Sequence, residues 1–67
     1  MDKNTVIQNV AKSNSWSLDE AQGYYDGSKD SYENKVPQID LLDMSDYGHK
    51  YFKGYKSPNW YAQILSL

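Results

Sequence analysis

The chain has 67 residues, a net charge of −2 and no cysteine. This length allows a single domain, and the absence of cysteine excludes disulfides and thiolate metal sites and favours a reducing compartment. Apolar runs reach only three residues, and no basic segment precedes a hydrophobic one at the N-terminus. We therefore expect a cytoplasmic protein with no signal peptide and no membrane span.

A first short helix is predicted over about residues 4–13. Its apolar residues recur at helical spacing on one stripe: Val6, Ile7, Val10 and Ala11. Asn4 is the candidate N-cap, because a side-chain oxygen at that position accepts from a free N–H of the first turn. The polar run Ser13-Asn14-Ser15 is expected to end this helix.

A second helix, about residues 18–33, begins with the clearest local signal in the chain. Ser17 and Glu20 form a capping box, in which each side chain bonds to the backbone amide of the other residue. The residues that share the inner face of this helix are Leu18, Ala21, Tyr25, Ser28 and Tyr32. Gly23 and Gly27 each cost about 1 kcal/mol against alanine inside a helix. Either Gly27 ends the helix, or the two glycines line a groove over which another backbone crosses closely.

Pro37 interrupts the helical pattern, because a proline pushes its predecessor towards extended geometry. The apolar residues after it are expected to form a compact link: Ile39, Leu41, Leu42 and Met44. A third helix follows over about residues 45–55, with Tyr47, Tyr51 and Tyr55 on one stripe.

A fourth helix is predicted over about residues 58–66, with Ser57 as its N-cap and Pro58 at its first position. Trp60, Ile64 and Leu67 align along it. β-branched residues are few and no alternating run reaches five residues, which argues against a sheet. We predict an all-α fold, a compact small bundle of three to four short helices in a single domain, residues 1–67.

The charges are divided along the chain. The segment from Ser17 to Asp46 holds eight carboxylates against two lysines, a local balance of −6. The last nineteen residues hold Lys50, Lys53 and Lys56 and no acid. All seven basic residues are lysine. Because arginine is the side chain best suited to forked phosphate and guanine contacts, its absence leads us to expect no direct nucleic-acid binding.

The titratable residues offer no catalytic or metal constellation. His49 is the only histidine, so neither a histidine triad nor a multi-histidine zinc site can form within one chain. The run from Asp26 to Asp30 begins like a calcium loop, but Ser31 stands where that loop needs glycine and Pro37 where it needs a bidentate glutamate. We therefore predict no catalytic residue, no metal site and no cofactor, and we do not expect an enzyme.

The seven tyrosines exceed what so small a bundle needs for packing. Core positions are predicted for Tyr25, Tyr32, Tyr51 and Trp60. Tyr24 lies on a different side of its helix from Tyr25 and is the candidate exposed anchor, since surface tyrosine is favoured in protein interfaces. With the acids around it, it forms the candidate partner-binding set: Asp19, Glu20, Tyr24, Asp26, Asp30 and Glu33.

Two short segments, Gly23-Tyr24-Tyr25-Asp26-Gly27 and Tyr51-Phe52-Lys53-Gly54-Tyr55, with Pro37 between them, resemble the pattern of ribosome modulation factor and its phage-encoded relatives. Members of that family are small two-helix proteins with a glycine-aromatic pair in each helix. The resemblance implies ribosome binding and a helix crossing at Gly23, Tyr24, Gly27, Gly54 and Tyr55. Unlike the basic, arginine-rich members of that family, this chain is acidic and has no arginine.

Three functions are compatible with these features. The first is a protein-binding module of phage or mobile-element type, which docks on a basic host protein and inhibits or modulates it by imitating nucleic-acid charge. The second is a ribosome-associated or RNA-binding factor with the contact residues Lys50, Tyr51, Lys53, Tyr55 and Lys56. The third is a self-associating subunit, in which the acidic middle of one copy meets the lysine-bearing end of another.

Overall fold

The structure is a computed structural model that describes residues 2–66. These residues form four helices: α1 (Lys3–Asn14), α2 (Leu18–Tyr32), α3 (Asp46–Tyr55) and α4 (Pro58–Leu65). The described chain contains no strand, and the prediction of a small all-α bundle is confirmed. None of these helices is both long and apolar enough to cross a bilayer. The predicted position of Leu67 lies outside the described residues.

The first helix does not use Asn4 as its cap. Asp2 is the N-cap residue, with extended backbone, and its carboxylate accepts from the Thr5 hydroxyl at 3.3 Å. Asn4 lies within the first turn instead, and the Asp2 side chain makes no capping bond to a backbone N–H. The helix ends at Asn14, and the left-handed backbone of the next residue, Ser15 (φ 56°), brings the Trp16 N–H to the carbonyl of Ala11 at 2.9 Å.

The second helix begins with the predicted capping box. The Ser17 N–H donates to Glu20 Oε1 at 2.9 Å, and the Glu20 N–H donates to Ser17 Oγ at 3.2 Å. The bond from the Ser17 N–H and the nearby ammonium of Lys50 lower the pKa of the Glu20 carboxyl. The helix continues through both of its glycines, and a left-handed residue, Asn34 (φ 61°), follows its end. The alternative in which Gly27 ends the helix is therefore wrong.

The apolar core lies between α1, α2 and α4. It consists of Val6, Ile7, Ala11, Ala21, Tyr25 and Tyr61, with Val10, Trp60 and Ile64 packed on its edge. The rings of Tyr25 and Tyr61 meet edge to face with centroids 5.5 Å apart. Of the aromatic residues predicted for the core, Tyr25 and Tyr51 are buried and Trp60 is half-buried. Tyr32 is 47% exposed, since it stands in the last turn of α2, where Tyr61 covers only part of its ring.

α2 and α3 cross at a contact made by three glycines. Each of them faces a carbonyl group of the other helix: Gly23 that of Tyr47, Gly27 that of Tyr51 and Gly54 that of Tyr24. A Cβ atom at any of these three positions would overlap the facing backbone, so glycine is what allows the two backbones to approach this closely. The close crossing over Gly23 and Gly27, the second alternative from the sequence, is confirmed.

The start of α4 is held by a serine from α2. Ser28 is fully buried; its hydroxyl donates to the Ser57 carbonyl at 2.6 Å and accepts from the Tyr61 N–H at 3.2 Å. Pro58 occupies the first position of α4, as predicted, but the Ser57 side chain makes no capping bond. The Ser57 backbone (ψ 59°) departs from the extended conformation of an ordinary N-cap, so Ser28 bonds to this first turn instead.

Candidate protein-binding surfaces

Three tyrosine hydroxyls of α3 donate hydrogen bonds to α2 and to the chain segment that follows α2. We call this set the tyrosine ladder. Each hydroxyl has one acceptor there: Tyr47 donates to Asp26 at 2.6 Å, Tyr51 to Asp30 at 2.5 Å and Tyr55 to the carbonyl of Lys35. The acceptors follow one another along the chain in the same order as the tyrosines that donate to them, so α2 and α3 run in the same direction along this edge. A carboxylate accepts hydrogen bonds and a tyrosine hydroxyl can donate one, so the bonds from Tyr47 and Tyr51 hold the side chains of Asp26 and Asp30 in fixed positions.

The helical period of α2 divides the six predicted partner-binding residues between two sides. Four of them follow one side of the helix and form what we call the acidic row: Asp19, Asp26, Asp30 and Glu33. At 1.5 Å per residue the row is about 21 Å long. The other two, Glu20 and Tyr24, lie on the side that faces the lysines of α3. The predicted set is therefore not one surface.

Lysines offset part of the charge of the acidic row. Lys35 and Lys29 lie 3.2 and 3.7 Å from Glu33, and the bond from Lys35 and the charge of Lys29 lower the pKa of that carboxyl. Lys3 lies 3.9 Å from Asp26. Ion pairs as exposed as these add little to stability, so the cations of a partner can displace them.

Tyr24 is half-buried rather than exposed. Its ring lies between two tryptophans, with centroids 5.5 Å from that of Trp16 and 5.1 Å from that of Trp60. Its carbonyl group faces Gly54 at the helix crossing. The four acids of the acidic row lie on another side of α2 and only Glu20 shares the side of Tyr24, so the acids do not surround this ring in space.

The lysine and tyrosine surface predicted for RNA contact does not form. Tyr51 is 1% exposed and lies on the ladder side of α3. Lys50 pairs with Glu20 at 3.6 Å and lies over the ring of Trp16, 4.8 Å from its centroid. Lys53 lies over the same ring at 5.6 Å. Neighbours in a helical sequence point in different directions, so these lysines contact a tryptophan of another segment and not the tyrosines between them.

The linker between α2 and α3, residues 33–45, carries the most exposed apolar side chains of the described chain. Leu41, Leu42 and Met44 are 72, 81 and 93% exposed. Sequence reasoning treated them as a compact apolar link and missed this exposure. The sequence contains one indication of this exposure. The apolar faces of the predicted helices already form a complete core, so the apolar residues of the linker have no surface within the chain to pack against.

Hydrogen bonds fix the path of this linker. The Gln38 N–H donates to the Tyr51 hydroxyl at 2.9 Å. Two aspartates each accept from the amide two residues ahead: Asp40 from Leu42 at 2.9 Å and Asp43 from Ser45 at 2.8 Å. The bonds from Ser45 lower the pKa of the Asp43 carboxyl. The exposed apolar side chains therefore stand on a backbone that is already held in place.

The linker and the outer side of α3 border an open groove, which we call the linker groove. Leu41, Asp43 and Met44 line it from the linker, His49, Phe52 and Lys53 line it from α3, and Lys56 lines it from the position directly after α3. The last four residues are spaced by three and four, so they continue one stripe of the helix. The groove thus brings apolar side chains and ammonium groups together on one face.

Within residues 2–66, no three histidine, cysteine, aspartate or glutamate side chains lie close enough together to hold a metal ion. Comparisons with family models, with curated proteins and with solved structures find no match for this chain. Function is therefore inferred from the surfaces alone.

Proposed function

We propose that this protein is a cytoplasmic protein-binding module, which acts by occupying a surface of a partner protein and so inhibits or modulates it. The observation that carries the proposal is the exposure of Leu41, Leu42 and Met44 on the hydrogen-bonded linker. Apolar surface costs about 25 cal/mol per Å² in water, and clustered exposed apolar side chains mark interaction sites. Because the linker backbone is already held, its ordering adds little to the cost of binding.

Affinity capture from a lysate of the source organism tests this proposal. The test variant, L41S/L42S/M44S, removes the three linker side chains. A control, L18S/L65S, removes two exposed apolar side chains outside the linker, which are 60 and 57% exposed. We expect wild type and the control to retain the same protein and the linker variant to release it. Equal retention by the two variants, or no retained protein, would overturn the proposal; circular dichroism verifies that each variant is helical.

The acidic row supports a basic partner. Carboxylates along one side of a helix attract a positively charged surface from a distance, which raises the association rate more than the affinity. Two of these carboxylates, Asp26 and Asp30, are held by the tyrosine ladder and need no ordering on binding. A phage-type inhibitor of a host protein that handles nucleic acid is the class of function this pattern suits, because such a partner presents a groove built for phosphates.

Association rates with the captured partner test the acidic row. D19N/D26N/D30N removes three charges from the row, and asparagine keeps a carbonyl that accepts from the tyrosine hydroxyls. D2N/D40N/D46N removes the same charge elsewhere. At low salt we expect the row variant to associate about tenfold more slowly and the control to change less, with the difference lost at high salt. Equal rates for the two triple variants would exclude steering by the row.

A ribosome-associated factor is a second candidate. The observation that favours it is the glycine crossing, because Gly23, Gly27 and Gly54 are glycines at which the resemblance to ribosome modulation factor implies that the helices cross. On this alternative the protein co-sediments with ribosomes in dilute buffer and dissociates steeply as salt is added. Absence from the ribosomal pellet in dilute buffer would remove the candidate.

A further inference from the structure

We propose that the linker groove binds a peptide segment of another protein that carries both apolar side chains and carboxylates. This inference rests on the proposed function and adds the chemistry of the partner at that groove. Leu41, Met44 and Phe52 supply the apolar lining, and Lys53 and Lys56 supply positive charge beside it.

The two lysines of the groove are available to a partner. Lys53 and Lys56 are exposed, and within residues 2–66 neither lies within 4.0 Å of a carboxylate oxygen. The ring of Trp16 is the aromatic contact of Lys53, and a cation over a ring keeps its N–H groups free to donate. Four of the other lysines, by contrast, are paired with acids: Lys3, Lys29, Lys35 and Lys50.

The groove also contains one carboxylate, Asp43, which does not cancel this positive charge. The Ser45 N–H donates to Asp43 at 2.8 Å and fixes the position of this carboxylate, which keeps its charge. Two ammonium groups against one carboxylate leave a net positive charge among these three side chains. Electrostatic complementarity at an interface then favours a partner segment with acidic residues.

The dimensions of the groove fit a short segment. Its α3 side runs from His49 to Lys56, about 10 Å along the helix axis at 1.5 Å per residue. A segment of that length places one or two apolar side chains against Met44 and Phe52. Carboxylates on either side of them reach the two lysines. The acidic row lies on the other side of α3, so one partner can engage both surfaces only by presenting a basic patch and an acidic apolar segment.

Selection of a random peptide display library on the immobilised full chain tests the inference. We expect the enriched peptides to combine Leu, Met or Phe with Asp or Glu. Synthetic copies of them should bind about tenfold more weakly to K53Q/K56Q and to L41S/M44S. K3Q/K12Q removes the same charge outside the groove and should bind as wild type does. Amide chemical-shift changes at Met44, Phe52 and Lys53 should locate the peptide.

Several results would overturn the inference. The first is that wild type enriches no peptide, and the second is that the enriched peptides contain no acidic residues. The third is that the peptides bind the groove variants as tightly as they bind wild type. A sedimentation coefficient that rises with concentration for wild type but not for L41S/M44S would identify a second copy of the chain as the occupant and would overturn it as well. If lysate capture depends on the linker while the enriched peptides lack acids, the protein-binding function stands and only the acidic partner segment is wrong.

Discussion

Gly27 of α2 lies directly against the backbone carbonyl of Tyr51 in α3, with no room for a Cβ atom between them. This approach brings the two helices so close that the Tyr51 side chain reaches across to Asp30 with its hydroxyl. The glycine contacts of this crossing therefore position the tyrosine ladder and, through it, the carboxylates of Asp26 and Asp30.

Gly27→Ala is expected to lower the free energy of unfolding by about 2–3 kcal/mol. The new methyl group would overlap the carbonyl of Tyr51 and the amide of Tyr55, and backbone atoms move only if the helices separate. The gain in helix propensity, about 1 kcal/mol, acts in the opposite direction and is too small to offset this. Urea unfolding followed by circular dichroism measures the difference.

Gly48→Ala is the matched control, because Gly48 also lies within a helix. A Cβ atom there meets only the side chain of Asp43, with Cγ 2.6 Å and Cβ 2.9 Å away, so the linker must shift and Asp43 loses its bond from the Ser45 N–H. We expect a loss of about 1 kcal/mol, smaller than that of Gly27→Ala, because the two packed helices need not separate. Equal losses for the two substitutions would show that the backbone contact is not the reason for a glycine at position 27.

Tyr51→Phe is expected to cost about 2 kcal/mol, and Tyr47→Phe about 1 kcal/mol. The Tyr51 hydroxyl donates to Asp30 and accepts from the Gln38 N–H, so its loss leaves two groups without their partner. The carboxylate that Tyr47 contacts also accepts from Gln22 at 3.1 Å and keeps that bond. Chemical unfolding of both variants provides the comparison, and a larger loss for Tyr47→Phe would contradict the assigned roles.

Stability is expected to fall between about pH 10 and pH 12. Burial and the bond to Asp30 raise the pKa of the Tyr51 phenol to about 12, and burial beside the Tyr61 phenol raises the pKa of Tyr25 to about 12. Over this interval the unfolded phenols, with an ordinary pKa of 10.0, have lost protons that the folded ones retain, so rising pH favours unfolding. The contribution is complete below pH 10 and disappears as the pH passes the folded values.

Urea unfolding at a series of alkaline pH values measures this loss of stability. Tyrosinate absorbance of the folded protein should show that a fraction of the phenols ionise about 2 pH units above the ordinary pKa of tyrosine. Tyr51→Phe cannot ionise at position 51 and should lose less stability over the same interval. Parallel curves for wild type and this variant would rule out Tyr51 as a cause.

The helices were predictable because their signals are local. The capping box of Ser17 and Glu20 and the proline at position 58 act within one turn, so the sequence nearby contains the whole interaction. The role of Gly27 could not be decided in the same way. A glycine inside a helix and one at its end look alike locally, and the backbone that distinguishes them belongs to a segment more than twenty residues away.

The candidate surfaces were less predictable because they depend on contacts between segments. The helical period places Asp26 and Asp30 in one row, as expected from spacing alone. Tyr24 is covered because two tryptophans from other segments pack on it. The exposure of Met44 follows from the path of the linker, which is set by hydrogen bonds to α3 and within the linker. No pattern within one helix contains that information.

Ser28→Ala is expected to destabilise the protein by about 1–2 kcal/mol, whereas Ser57→Ala should have almost no effect. The sequence favours the reverse, since Ser57 stands at the N-cap position of α4. In the structure the Ser57 side chain makes no capping bond, while the buried Ser28 hydroxyl bonds to the Ser57 carbonyl and the Tyr61 N–H. Removing that hydroxyl leaves the buried Tyr61 N–H without a partner, while the Ser57 carbonyl keeps its bond from the Trp60 N–H at 3.2 Å. Thermal and urea unfolding of the two single variants, which delete the same atom from the same residue type, measure the difference. A greater loss for Ser57→Ala would mean that α4 begins with its own cap and that the bond from α2 is incidental.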